Sequence, residues 1–165
     1  MLNSAENKNK IIKIFPLLIN DKVFKIEDNS PNYNCIAWAA VVTDCWWDKL
    51  PMDKRPSYRH IDGVKFDWPF NVPDEFSTRV LIEIFENIKF VICATGDYEE
   101  GFKKVVIYEL NGEATHMARQ ITWGEDRGAW TSKLGASFRI SHESPKSLEG
   151  NIYGYAVLYM KKSMK

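Results

Sequence analysis

Two residues of this chain, Cys35 and His116, are of the types that form a thiol nucleophile and its base. Cys35 follows the turn-rich segment 28–32 and precedes the apolar run 36–42, which places its thiol at or near the start of a helix. Unpaired backbone N–H groups and the dipole at a helix start favour thiolate over thiol, so we expect a lowered pKa for Cys35. A histidine that meets this thiol in space would make it the nucleophile of a cysteine hydrolase.

His116 is the favoured partner of Cys35. It opens a predicted strand directly after Asn111-Gly112, which is a strong hairpin-turn signal. Side chains at such a position reach the rim of a sheet. The long separation from Cys35 along the chain is typical of a nucleophile and base that meet only in the folded structure.

A third group should orient the imidazole of His116 and select its tautomer. The strands that follow offer Ser132, Lys133 and His142, and a neutral His142 ring could accept a hydrogen bond from His116. Asn34 or Asn32 could donate to an oxyanion together with the backbone N–H of Cys35. The catalytic candidates are therefore Cys35 and His116, with His142 or Ser132 as orienter.

Aromatic residues gather in the loop region after the Cys35 segment. The chain has six Trp, and three of them, Trp46, Trp47 and Trp68, bracket this region. Long loops in compact domains are usually functional or disordered, and the aromatic content favours an ordered loop. We therefore expect the segment from Trp46 to Trp68 to form a substrate-binding wall, although tryptophans are also common in cores.

Composition limits the other functions that this chain could have. Lys+Arg and Asp+Glu both number 22, so no net charge draws the protein toward nucleic acid. The three cysteines make an odd count without a Cys-x-x-Cys pair, and the three histidines are scattered. We therefore expect no disulfide framework, no metal site and no cofactor.

No apolar run approaches the roughly 20 residues that span a membrane. The first 13 residues are polar and rich in lysine, which is unlike a secretory signal. The expected location is therefore the cytoplasm, or outside the cell after export without such a signal.

Hydrophobic periodicity predicts an α+β fold in one domain, residues 13–165, after a flexible tail over 1–12. A buried helix is expected over 32–44 and a second helix from residue 73. Two extended pieces are expected within 13–18 and 22–26. The predicted strands cover 90–94, 104–110, 115–121, 130–134, 138–142 and 153–160.

Two long motifs carry a resemblance to a known family. Residues 33–40 read Tyr-Asn-Cys-Ile-Ala-Trp-Ala-Ala, and residues 130–135 read Trp-Thr-Ser-Lys-Leu-Gly. The chain resembles, from about Phe15 to Met160, an uncharacterised bacterial domain family built around these motifs. The order of Cys before His also resembles, more loosely, the papain-like superfamily, including NlpC/P60 peptidases and amidases.

The papain-like resemblance implies a fold in which an N-terminal helix bearing Cys35 packs on an antiparallel sheet bearing His116. In NlpC/P60 enzymes the third member is often a second histidine on a neighbouring strand, which corresponds to His142. The expected function is cleavage of an amide bond in a peptide-like substrate. The alternative is a non-catalytic binding module, associated with a toxin or an immunity protein, whose aromatic loop meets a protein partner.

Overall fold

The computed structural model describes residues 1–48, 60–61 and 63–165 of the chain. It combines helices with an antiparallel sheet, as the sequence predicts for an α+β protein. The helices are α1 (Ala5–Ile14), α2 (Cys35–Ala39) and α3 (Thr78–Asn87). Within these described ranges, no helix is both long enough and apolar enough to cross a membrane.

Most of the strands belong to one large sheet. In chain order, the described strands are β1 (Lys25–Asn29), β2 (Trp46–Trp47), β3 (His60–Ile61), β4 (Val64–Asp67), β5 (Val91–Cys93), β6 (Phe102–Leu110), β7 (Glu113–Gln120), β8 (Trp130–Lys133), β9 (Phe138–His142) and β10 (Tyr155–Ser163). The large sheet has the order β1-β9-β8-β7-β6-β10-β5, and β2, β4 and β3 form a small separate sheet. The strands predicted after residue 90 are thus present, with shifted ends.

The large sheet is covered on both faces because its strand residues alternate between two cores. On one face, α2 and α3 pack with side chains such as Ile84 over Met117. On the other face, α1 and the 3₁₀ turn Pro16–Asn20 pack with Ile11 near Tyr108. The central strands are therefore held between two helical layers.

The N-terminal segment differs from its prediction. The sequence predicts a flexible tail over residues 1–12, whereas residues 5–14 form α1. The Ser4 side chain caps this helix by accepting a hydrogen bond from the Asn7 N–H at 3.1 Å. Ile11 is the buried residue of this helix, whose first six residues are almost all polar, so the apolar periodicity is too weak to reveal it. The extended piece predicted within 13–18 is instead largely a 3₁₀ turn.

Helix α2 is much shorter than the predicted span of 32–44. It ends because Val41 takes a left-handed conformation, with φ of +64°. The Val42 N–H donates to the Ala37 carbonyl at 2.8 Å and the Val41 N–H to the Trp38 carbonyl at 2.9 Å. This is the Schellman end of a helix, with valine where glycine is usual. The apolar run continues past Ala39, but the helix does not.

Helix α3 begins at Thr78 rather than at residue 73. The Ser77 side chain accepts a hydrogen bond from the Val80 N–H at 3.2 Å and so caps the helix. The predicted apolar stripe is buried, as Leu81 and Phe85 show. The existence of this helix is confirmed, and only its start is displaced.

Strands β7 and β8 separate at one end of the large sheet. Their pairing is limited to Arg119 with Thr131 and Gln120 with Trp130. The earlier part of β7 is paired with β6, and the later part of β8 is paired with β9. Helix α2 packs against both separating strands. This fork between β7 and β8 brings Cys35 near residues of both strands.

Candidate active site

Cys35 is the first residue of α2 and lines a cleft of about 240 Å³. His116 of β7 and Tyr153, which precedes β10, line the same cleft. Thus the two residues that the sequence pairs as nucleophile and base reach one cavity from different elements of the fold.

The Cys35 thiol has a high pKa in the resting protein. Burial of the thiol raises its pKa to about 11, and hydrogen bonding from the Met117 backbone N–H offsets this only in part. The sequence predicts the opposite direction, from the position at a helix start. Helix α2 has only five residues, so its dipole is small, and loss of water dominates. Cys35 therefore rests as a protonated thiol.

His116, Ser132 and His142 form one buried hydrogen-bonded relay across β7, β8 and β9. His116 Nε2 lies 3.0 Å from Ser132 Oγ, and Ser132 Oγ lies 2.8 Å from His142 Nε2. At the far end, His142 Nδ1 lies 2.8 Å from the carbonyl oxygen of Ser144. Ser132 thus contacts His116 directly, whereas His142 acts on His116 through Ser132.

The Ser144 carbonyl determines the direction of every hydrogen bond in this relay. A carbonyl can only accept, so His142 Nδ1 carries the proton, and Nε2 of the neutral ring accepts from the Ser132 hydroxyl. The Ser132 oxygen then accepts from His116 Nε2–H. Since His116 is neutral as well, its Nδ1 carries no proton and can act as a base.

Both histidines of the relay are held in the neutral form. Burial lowers the pKa of His142 to about 4, against a smaller opposite effect of the Ser144 carbonyl. Burial lowers the pKa of His116 well below its ordinary value, and the nearby His142 lowers it further. At neutral pH the tautomers assigned from the hydrogen bonds are therefore the stable ones.

His116 Nδ1 is buried and has no hydrogen-bond partner among the described residues. No hydrogen bond joins it to Cys35 within that part of the chain, although both residues line the cleft. Catalytic hydrogen bonds are often long in an enzyme without substrate and tighten when substrate binds. The cleft therefore contains an oriented base, His116, and a protonated thiol, Cys35.

The Asn34 side chain binds backbone groups of α2 and β2. Its Oδ1 caps α2 by accepting from the Ala37 N–H at 3.1 Å, and also accepts from the Trp47 N–H. Its Nδ2 donates to the Trp47 carbonyl at 3.0 Å. Asn34 thus joins α2 to β2, because its position before the helix suits a cap. The second N–H of its Nδ2 is left for the oxyanion role, which stays a prediction.

The three tryptophans predicted to bind substrate have different positions. Trp46 lines the cleft, and its Nε1–H donates to the Pro31 carbonyl at 2.7 Å. Trp47 is buried in the core, edge-on to Phe85. Trp68 is half-buried and packs edge-on to Phe76, which lines the cleft. The rest of the predicted wall, residues 49–59 and 62, lies outside the described residues.

Sequence reasoning missed Tyr153, and it named Lys133 only as a group that could orient His116. Tyr153 stacks on His116, with ring centroids 4.0 Å apart and planes within 3°. Lys133 is fully buried, donates to the Gly135 carbonyl at 2.6 Å, and has its pKa lowered to about 8 by burial. The signal for Lys133 was its place in the motif at 130–135, since lysine is rarely buried. Tyr153 was visible only as an aromatic before Gly154.

The described residues contain no group of three or more His, Cys, Asp or Glu side chains that could hold a metal ion. The chemistry that the site can perform with its own residues is proton transfer at His116 Nδ1 and nucleophilic attack by the Cys35 sulfur.

The fold and the cleft define an α+β domain with a thiol beside a histidine relay. By comparison with known families, the chain belongs to a family of domains of unknown function, DUF7689, whose model matches residues 25–161. That match includes all three members of the relay and Cys35. The comparisons with curated proteins and with solved structures found no match to this chain.

Proposed function

We propose that this protein is a papain-like cysteine hydrolase that cleaves an amide bond, with Cys35 as nucleophile and His116 as base. One observation carries the proposal. The relay through Ser132 and His142 leaves His116 Nδ1 unprotonated and without a partner in the cleft that Cys35 lines. An oriented base beside a thiol is the arrangement that activates a cysteine.

The reaction begins when the Cys35 sulfur attacks the carbonyl carbon of the substrate while the thiol proton passes to His116 Nδ1. The resulting oxyanion intermediate collapses by breaking the C–N bond. His116 returns the proton to the leaving amine, which departs and leaves a thioester on Cys35. Water, with His116 again as base, then releases the acid and restores the thiol.

A resting pair of neutral thiol and neutral imidazole is compatible with this role. The pKa of Cys35 is about 11 and the pKa of His116 is well below its ordinary value. The thiol must therefore lose its proton during attack rather than before it, and His116 acts as a general base. General base catalysis of this kind contributes typically about 100- to 10,000-fold to a rate.

The size of the cleft limits the substrate group that enters it. A volume of about 240 Å³ is below the range of roughly 300–1,000 Å³ that is usual for drug-sized ligands. Apolar side chains, including Trp46 and Phe76, dominate its walls. The proposed substrate therefore presents one side-chain-sized, mainly apolar group beside its scissile amide, as a peptide does.

The proposal is tested with p-nitrophenyl acetate, an activated ester that acylates thiols with release of p-nitrophenolate. We expect a burst of p-nitrophenolate and an acetyl group on Cys35, located by mass spectrometry. The Cys35→Ala variant should lose the burst, and Cys93→Ala, the matched control, should keep it. Acetylation spread equally over the three cysteines would contradict the proposal.

The second candidate is a binding module on the same fold, and one observation favours it. Cys35 and His116 share no hydrogen bond within the described residues, and the thiol rests protonated. In that case Cys35 would react no faster than an ordinary buried cysteine, and His116→Ala would not change its reactivity.

A further inference from the structure

The cleft needs a donor for the oxyanion besides the backbone N–H of Cys35. In acyl transfer, the carbonyl oxygen gains negative charge in the transition state, and fixed donors aimed at it supply much of the catalysis. Asn34 has one donor left for this role, because one N–H of its Nδ2 donates to the Trp47 carbonyl and its Oδ1 accepts from backbone N–H groups. A further donor is therefore sought among the other residues that line the cleft.

Besides Asn34, most side-chain donors of the cleft are bound to other groups of the protein. The Trp46 Nε1–H donates to the Pro31 carbonyl, and the Thr115 hydroxyl donates to the Tyr153 carbonyl. His116 Nε2–H donates to Ser132. Among the described residues, the Tyr153 hydroxyl has no hydrogen-bond partner, although its ring lines the cleft.

Tyr153 is held at this position by its ring and by its backbone. One face of the ring stacks on His116 at a centroid distance of 4.0 Å, and Phe15 lies 5.0 Å away at a tilt of 35°. Gly154 has φ of +74°, and a Cβ there would lie 1.9 Å from the Glu109 carbonyl oxygen. Only glycine fits, so the chain after Tyr153 is closely constrained.

Tyr153 and Cys35 line the same cleft. Burial raises the pKa of Tyr153 above its ordinary value, and a negative charge on Cys35 raises it further. The phenol therefore stays protonated, and remains a donor, throughout the pH range in which His116 acts as a base.

We propose that the Tyr153 hydroxyl donates a hydrogen bond to the oxyanion formed when Cys35 attacks a carbonyl, opposite the Cys35 backbone N–H. Tyr153 is then a catalytic residue, and its stacking on His116 fixes donor and base relative to each other. This inference rests on the proposed function, since a binding module forms no oxyanion.

The test compares two reactions of the same thiol. Acylation by p-nitrophenyl acetate passes through an oxyanion, whereas alkylation by iodoacetamide displaces iodide at a saturated carbon and forms none. Tyr153→Phe keeps the ring and removes only the hydroxyl. We expect it to slow acylation of Cys35 by roughly 100-fold or more and to leave alkylation within about twofold. Tyr155→Phe, at an exposed neighbouring tyrosine, is the control and should change neither rate.

Each other outcome overturns the inference in a recognisable way. If Tyr153→Phe leaves both rates unchanged, the hydroxyl is not an oxyanion donor. If both rates fall together, Tyr153 acts only by positioning His116. If wild-type Cys35 is not acylated, or is acylated at a rate independent of His116, the proposed function itself has failed and the inference fails with it. The thermal midpoint of Tyr153→Phe, measured alongside, establishes that the variant is folded.

Discussion

The regions around Cys35 and Cys93 differ mainly in the side chains that lie near each thiol. Both thiols have a pKa raised by burial. Cys93 lies on the edge strand β5 and has two lysines, Lys104 and Lys161, that offset the effect of burial on its pKa. Cys35 differs because its cleft contains an oriented base.

Cys35, the proposed nucleophile, therefore differs from Cys93 by a base in its cleft and not by a lowered thiol pKa. The two histidines whose side chains the structure describes, His116 and His142, both belong to the relay at the Cys35 cleft. Strand separation makes this possible, since β7 and β8 pair through only two residue pairs. The expected effects of changes in the Cys35 region follow from this difference.

The largest expected effect comes from removing the base. His116→Ala should lower the acylation rate of Cys35 by p-nitrophenyl acetate at pH 7 by about 100- to 10,000-fold, the usual range for a general base. The reaction of Cys93 with the same reagent should not change. The measurement is residue-resolved mass spectrometry over time. An equal loss at both cysteines would indicate general damage to the fold.

The relay should also make the protein sensitive to acid. The pKa of His142 is about 4 in the folded protein and near 6.5 when unfolded, so its contribution to stability is complete above pH 6.5. This contribution of His142 is lost as the pH falls to 4, because His142 takes up a proton at a higher pH in the unfolded chain than in the folded protein. The loss amounts to about 3 kcal/mol.

Urea unfolding at pH 7 and at pH 4 measures this loss, with His142→Asn as the comparison. Between these two pH values, the free energy of unfolding should fall by about 3 kcal/mol more in the wild type than in the variant. The same loss in both proteins would show that His142 does not titrate as the buried relay requires.

Asn34 should matter to the stability of the Cys35 region. Asn34→Ala removes the cap of α2 and both hydrogen bonds to Trp47, so we expect a fall of about 2 kcal/mol in the free energy of unfolding. Ser77→Ala, which removes only the cap of α3, should cost about 1 kcal/mol. Urea unfolding followed by tryptophan fluorescence compares the two. Equal losses would contradict the joining role of Asn34.

The smallest expected effect concerns the tautomer of His116. Ser132→Ala removes the acceptor of Nε2–H and lets the proton move to Nδ1, so acylation of Cys35 should slow by about tenfold. Ser141→Ala is the matched control, since Ser141 is also buried but donates to the Val23 carbonyl instead. Similar rates for the two variants would exclude a role of the relay in selecting the tautomer.

The sequence predicted the elements of the site better than their contacts. Apolar periodicity located α3 and the strands that carry His116, Ser132 and His142, because each buries a regular face. It did not locate α1, whose single buried residue, Ile11, leaves no visible stripe. The end of α2 at Ala39 was also hidden, since Val41 is a poor signal for a left-handed turn.

The roles of the site residues depend on contacts between distant segments, which the sequence does not show. Asparagine before a helix suits both a cap and an oxyanion donor, and only the positions of the Ala37 and Trp47 backbone groups show that Asn34 is a cap. The order of the relay likewise requires knowing that Ser132 lies between the two rings. The pKa of Cys35 was predicted in the wrong direction because enclosure by other segments outweighs the start of a short helix.

The most direct test of the account is the pH dependence of alkylation by iodoacetamide at Cys35 and at Cys93, in wild type and in His116→Ala. A thiol without a base gains reactivity by about tenfold per pH unit below its pKa. We predict this rise for Cys93 in both proteins and for Cys35 in His116→Ala, but a nearly constant rate for wild-type Cys35 from pH 6 to 8.5. If wild-type Cys35 rises as steeply as Cys93, His116 is not its base and the central claim is wrong.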